Sequence, residues 1–123
     1  MNTLISLGWI ALGGAGGSVA RALIGLAITS RFPVATLLVN VAGSLLVGWL
    51  MVRFGAAEPA VSAKFLNLLA VGFCGGFTTF STFSWQTLDQ MLKGQWGAAI
   101  ANVLLSVTLC LLAVWLGFRL GQA

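Results

Sequence analysis

The sequence contains no histidine and only two acidic residues, Glu58 and Asp89. Paired carboxylates and histidine-centred acid–base chemistry therefore have almost no raw material, and a hydrolytic enzyme is not expected. Metal clusters rich in His or Cys are short of ligands for the same reason. Charge of any kind is scarce, at 7% of 123 residues against 59% hydrophobic, and a soluble domain of this size could not cover its surface with so little. The net charge of +4 comes from six basic residues dispersed among apolar runs. No basic patch results, and no nucleic-acid partner is expected. The two cysteines, Cys74 and Cys110, fall inside apolar runs, where a thiol is a small packing residue rather than half of a disulfide.

What is present is a series of uncharged stretches, each longer than the roughly 18 to 20 residues needed to cross a hydrocarbon layer. They predict an all-α integral membrane protein with four transmembrane helices, a single domain over residues 1–123, with spans near residues 4–28, 34–52, 65–91 and 98–118. Arg31-Phe32-Pro33 marks the turn into the second span, and Lys93-Gly94-Gln95 the turn into the fourth. Arg53–Lys64, with Gly55, Glu58, Pro59 and Ser62, is expected to be the only loop of any length. The first run ends in Ser18-Val19-Ala20, as the apolar run of a signal peptide does. It lacks a preceding basic residue and is too long, so it is read as a helix. Trp9, Trp96 and Trp115 lie toward span ends, where interfacial anchors belong, and Gly13 with Gly17 forms a small-xxx-small pattern expected to pack closely on another helix.

Four spans put the N-terminus, the second loop and the C-terminus on one side with Arg53, Lys64 and Arg119, while the other side carries Arg31 and Lys93. Orientation follows Lys/Arg bias, and so balanced a chain has little reason to insert one way only. Dual topology follows as an expectation, and with it an antiparallel dimer with its axis in the membrane plane.

The third span is too long for one straight crossing and is expected to be interrupted at Gly75-Gly76. Five hydroxyls follow at Thr78, Thr79, Ser81, Thr82 and Ser84. Irregular backbone cannot face lipid, so an interruption there must be buried in protein or line a watery cavity, with carbonyls available to a cation and amides to an anion. Phe80 and Phe83 share a helical face, either as packing or as rings offering a positive edge to an anion and a negative face to a cation. Asn40, inside the second span, is open to two readings: interhelical bonding, or contact with a polar solute. Arg21, roughly 10 Å from its span end at 1.5 Å per residue, either snorkels to the interface or attracts anions. Asn102, Ser106 and Cys110 recur every four residues on the fourth span as a mildly polar stripe. An interior with many donors and almost no carboxylate suits an anion better than a cation.

The run Gly75-Gly76-Phe77-Thr78-Thr79-Phe80-Ser81-Thr82-Phe83-Ser84 closely resembles the signature of the Fluc fluoride channels, also called CrcB proteins. The resemblance extends to Arg21, to Thr36-Leu37-Leu38-Val39-Asn40 and to the four-span layout. It implies a passive channel exporting fluoride across a cell's inner (plasma) membrane, built as a dual-topology antiparallel homodimer with two pores. It further implies that Phe80 and Phe83 line a pore with their ring edges, that Asn40 donates to fluoride beside them, and that the backbone carbonyls of Gly75 and Thr78 hold a structural sodium ion at the dimer centre. Ser81 and Thr82 match polar positions beside the interruption, Ser106 a retained hydroxyl of the fourth span, and Arg21 an arginine near the vestibule. The fourth span departs from the family pattern: Asn102 stands where tyrosine is frequent, Cys110 where a hydroxyl is common and Val114 where threonine is common, which thins its polar track.

Two other classes compete. A small four-helix dual-topology exporter of drugs or guanidinium needs an intramembrane carboxylate for proton exchange, and neither Glu58, in a loop, nor Asp89, near a span end, supplies one. A non-transporting assembly subunit would account for the packing glycines and leave the Gly75–Ser84 run unexplained.

Overall fold

The computed structural model describes residues Met1–Ala123 and is entirely helical. The helices are α1 (Thr3–Ala27), α2 (Val34–Gly55), α3 (Pro59–Phe65), a π-helical stretch (Leu66–Cys74), α4 (Gly75–Phe77), α5 (Phe80–Leu92) and α6 (Trp96–Gln122). From α3 through α5 the chain forms one long third crossing, Pro59–Leu92, so four helical units are long and apolar enough to span a membrane.

Local chemistry sets most of the boundaries. The Asn2 side chain accepts from the Leu4 amide at 2.9 Å and caps α1. Pro33 stands immediately before α2. Pro59 occupies the first turn of α3, where its missing N–H is no loss and its fixed φ favours the helix. The expected long loop Arg53–Lys64 is therefore mostly helix, and only residues 56–58 connect α2 to α3. Between α5 and α6 the chain reverses at Gly94, whose φ of 73° suits a residue without a side chain.

The helices pack as two pairs, α2 with α6 and α1 with the first part of the third crossing. In both, glycine lets backbone meet backbone. A Cβ on Gly13 would strike the Leu68 carbonyl and the Phe73 amide, and one on Gly17 the Phe73 carbonyl and the Phe77 amide. This is the close approach that the Gly13/Gly17 spacing predicted. A second glycine contact, unmarked in the sequence reading, joins Gly48 of α2 to the Val114 carbonyl and Gly117 of α6 to the Leu45 carbonyl. The π-helical stretch runs beneath the α1 glycines; such i→i+5 turns are rare and concentrate at functional sites.

Only 19 of 123 residues are buried, and large apolar side chains cover the outside of all four crossings. No soluble fold exposes so much, and the protein is a multi-pass membrane protein. Lys64 lies over the Trp9 ring at 4.7 Å, which brings the start of α1 beside the start of the third crossing, as the alternation of four spans requires. Arg119 lies over Trp115 at 5.8 Å.

Candidate functional site

Two extended residues separate α4 from α5: Thr78 (φ −87°, ψ 157°) and Thr79 (φ −152°, ψ 111°). The expected interruption at Gly75-Gly76 is thus displaced, because both glycines are helical. Gly76 presses against the Gly14 carbonyl and Ser18, while a Cβ on Gly75 would meet nothing within 4 Å. Gly76 serves close packing and threonine makes the turn. β-Branched residues accept extended backbone readily, and the Thr79 hydroxyl caps the new helix by accepting from the Thr82 amide at 3.2 Å.

Side chains from two other helices take up the backbone groups freed here. Asn40 of α2 bonds Thr79 reciprocally: its Oδ1 accepts from the Thr79 amide at 2.7 Å and its Nδ2 donates to the Thr79 carbonyl at 3.1 Å. The amide's orientation is settled by the Thr79 N–H, which can only donate. Arg21 of α1 donates from Nε to the Gly76 carbonyl at 3.0 Å. In an unbroken helix the amides of Thr79 and Thr82 would close on the carbonyls of Gly75 and Thr78. Both amides donate elsewhere, which leaves those two carbonyls without their helical donors. They are the chain's candidate oxygen ligands for a hard cation; no group of three or more His, Cys, Asp or Glu side chains could hold a metal.

Two cavities flank this point. The larger, about 530 Å³, is bordered by Asn40, Thr79, Phe80, Phe83, Ser106 and Cys110 among others, and by Gly75 and Thr78 at its side; none of its lining residues is charged. Phe80 and Phe83 lie with ring centroids 5.4 Å apart and planes tilted by 49°. Phe83 is 9% exposed and Phe80 78%, so one wall of this cavity is open to whatever adjoins the chain. The second, about 400 Å³, is bordered by Arg21, Ser30, Thr36, Thr79, Thr82 and Gln86. Thr79 borders both, so the Asn40–Thr79 pair stands between them.

The sequence-predicted residues are therefore divided. Asn40, Phe80, Phe83, Ser106, Gly75 and Thr78 meet at the larger cavity, while Arg21 and Thr82 border the smaller. Ser81 borders neither; it is exposed, its hydroxyl 3.3 Å from that of Thr79. Of the two readings of Asn40, interhelical bonding is realised, while one amide hydrogen beside the cavity is left over. Arg21 is tied to the third crossing instead of extending freely to the interface.

On α6, the stripe splits. Ser106 and Cys110 border the larger cavity, whereas Asn102 lies behind the wall, its Nδ2 donating to Thr87 Oγ1 at 2.9 Å. Both cysteines are free. Neither cavity has a carboxylate: Asp89 pairs with Lys93 at 2.7 Å on the surface, and Glu58 precedes α3. Thr79, Gln86 and the Gly48/Gly117 contact went unselected in the sequence. Thr79 lay in plain view within the hydroxyl-rich run, and Gly117 with Gly121 repeats the four-residue spacing of Gly13 with Gly17.

Comparison with known proteins adds an independent line. The family model described as CrcB-like protein, Camphor Resistance (CrcB), matches residues 8–118. A protein of Magnetococcus marinus named fluoride-specific ion channel FluC is 43% identical over 122 residues, covering 96% of this chain and 98% of its own. Proteins of the same name from Solibacter usitatus and Opitutus terrae are 46% and 47% identical, the first over 92% of this chain and 95% of its own, the second over 89% and 86%.

Proposed function

Since the chain belongs to the CrcB family, a family of ion channels rather than enzymes, we propose that it is a passive, fluoride-selective channel that exports fluoride across the membrane. The observation that carries this reading is the uncharged cavity gathering Asn40, Phe80, Phe83 and Ser106. A small, strongly hydrated anion sheds water only where donors replace it. The spare Asn40 amide hydrogen and the Ser106 hydroxyl are such donors, and the positive ring edges of Phe80 and Phe83 add to them without closing around the ion. The lack of any carboxylate removes the repulsion that would oppose an anion. Arg21, at the second cavity, supplies a cationic approach, with the hydroxyls of Thr82 and Ser81 near the turn.

The working unit is an antiparallel homodimer with two pores. This is supported by the exposure of Phe80, which leaves the larger cavity unwalled on one side, and by the balance of Arg53, Lys64 and Arg119 against Arg31 and Lys93. The interrupted third crossing is the functional break. The carbonyls of Gly75 and Thr78, freed of helical donors, would hold a sodium ion together with the same pair of a second copy. Gly75 fits that role because it is exposed and the space where its side chain would stand is open within its own chain, so a second copy can approach it. When bound, the ion supplies a fixed positive charge at the subunit junction.

The test is anion efflux from liposomes holding the purified protein, measured separately for fluoride and chloride. Rapid fluoride loss with little chloride loss is expected. No flux of either ion, or flux only under a proton gradient, would overturn the reading, and cross-links showing all subunits in one orientation would overturn the antiparallel dimer.

A further inference from the structure

Asn102 is the most buried polar side chain of the protein, at 2% exposure. It borders neither described cavity, yet both ends of its amide are engaged. Ser106 Oγ donates to Asn102 Oδ1 at 3.4 Å, Asn102 Nδ2 donates to Thr87 Oγ1 at 2.9 Å, and Thr87 Oγ1 donates to the Phe83 carbonyl at 2.8 Å. These bonds form one directed chain from α6 to α5, and its two ends, Ser106 and Phe83, both stand in the wall of the larger cavity.

From this geometry we infer that Asn102 is a positioning residue for conduction: it sets the separation of Phe83 and Ser106 and gives the Ser106 proton a resting acceptor. The inference rests on the channel reading above. At 3.4 Å the Ser106–Asn102 contact is longer than an ordinary hydroxyl bond and weak, so an anion entering the cavity competes for that proton on favourable terms. The Asn102–Thr87 bond is of ordinary length and holds α5 in place while Ser106 turns. An amide suits the task because it accepts from one helix and donates to the other at once.

Fluoride and chloride efflux, with melting temperature in detergent, would be measured for the wild type, Asn102→Leu, Ser106→Ala, Asn102→Leu with Ser106→Ala, Thr87→Val, and Thr87→Val with Asn102→Leu. Asn102→Leu removes the ordinary bond to Thr87 and the long one from Ser106; loss of the first should slow fluoride about tenfold, and the second adds little. Adding Ser106→Ala should slow it by less than the product of the two single effects, since Asn102 acts through Ser106. Replacing both Thr87 and Asn102 by apolar near-isosteres should recover the melting temperature but not the flux. Flux that returns with the melting temperature would make the pair merely structural and overturn the inference. Wild-type flux in Asn102→Leu, or multiplicative losses with Ser106→Ala, would overturn it too. If Asn102→Leu does not assemble, Thr87→Val alone carries the test: slowed fluoride supports the inference and unchanged fluoride overturns it. A wild type that passes no fluoride would instead overturn the channel reading itself.

Discussion

The third crossing is packed in opposite ways on either side of Thr78. Before it, Gly72 and Gly76 meet Gly13 and Gly14 of α1 backbone to backbone, with little room for a side chain. After it, α5 is joined to its neighbours through hydroxyls and amides: Asn40 on Thr79, Asn102 on Thr87. Close backbone packing has one geometry and gains its energy from van der Waals contact. Hydrogen-bonded side chains can exchange partners at modest cost. A rigid half beside a rearrangeable half is the arrangement that a pathway through the membrane needs.

The largest expected effect falls on the rigid half. Gly13→Leu or Gly17→Leu would drive a side chain into backbone atoms of the third crossing, costing at least ~3 kcal/mol, the upper end for overpacking. Loss of folded protein on size-exclusion chromatography is the readout. Gly75→Ala is the control, with open space at its Cβ within the chain. It should leave the subunit folded and, if the proposed sodium junction is right, weaken only dimer association. Normal recovery of Gly17→Leu would break the contrast between the halves.

Next comes the joint between them. Asn40→Ala strands the amide of Thr79, while the Thr79 carbonyl keeps its place as the first acceptor of α5; two lost hydrogen bonds correspond to about a hundredfold fall in fluoride flux. Asn40→Asp keeps the acceptor for the amide, loses the donor and adds a negative charge. It should fold better than Asn40→Ala and conduct no more. Faster conduction by the aspartate variant would show that the pathway does not pass this residue.

A smaller effect separates the two phenylalanines. Phe83 is buried and Phe80 largely exposed in the single chain. Phe83→Ile should therefore reduce both stability, on the order of 1 kcal/mol, and flux. Phe80→Ile should reduce flux by roughly tenfold with little change in subunit stability. Equal melting shifts for the two would mean that Phe80 is covered in the assembly as deeply as Phe83 is within its own chain.

How far all this was legible in the sequence follows the same division. Hydropathy located all four crossings because a run of apolar residues needs no partner to be recognised, and the glycine spacing of α1 exposed its packing face. Asn40, Phe80, Phe83 and Ser106 could be named individually, and the fold places them at one cavity. What escaped depends on contacts distant in sequence. The π-helical stretch lies against the α1 glycines and has no compositional mark of its own. The turn at Thr78-Thr79 is held by a residue 39 positions away, so glycine content alone misplaced it by three residues. Asn102 looked like part of a lining stripe because its periodicity matches Ser106, yet Thr87 draws its amide behind the wall.

The smallest effect concerns the two glutamines of α5, whose amide oxygens are buried with no partner in the chain. Gln86 borders the cavity that holds Arg21, whereas Gln90 borders neither cavity. A wet neighbour can satisfy an amide and a dry one cannot. Gln90→Leu should therefore stabilise the protein by about 1 kcal/mol, since it removes an unmet polar group from a buried position. Gln86→Leu should leave stability nearly unchanged and slow fluoride only slightly, by drying one side of the approach to Thr79. Thermal melting and efflux on the two variants distinguish these cases. A stabilised Gln86→Leu would mean that the second cavity is dry, and the pathway would then be confined to the side of Asn40, Phe80 and Phe83.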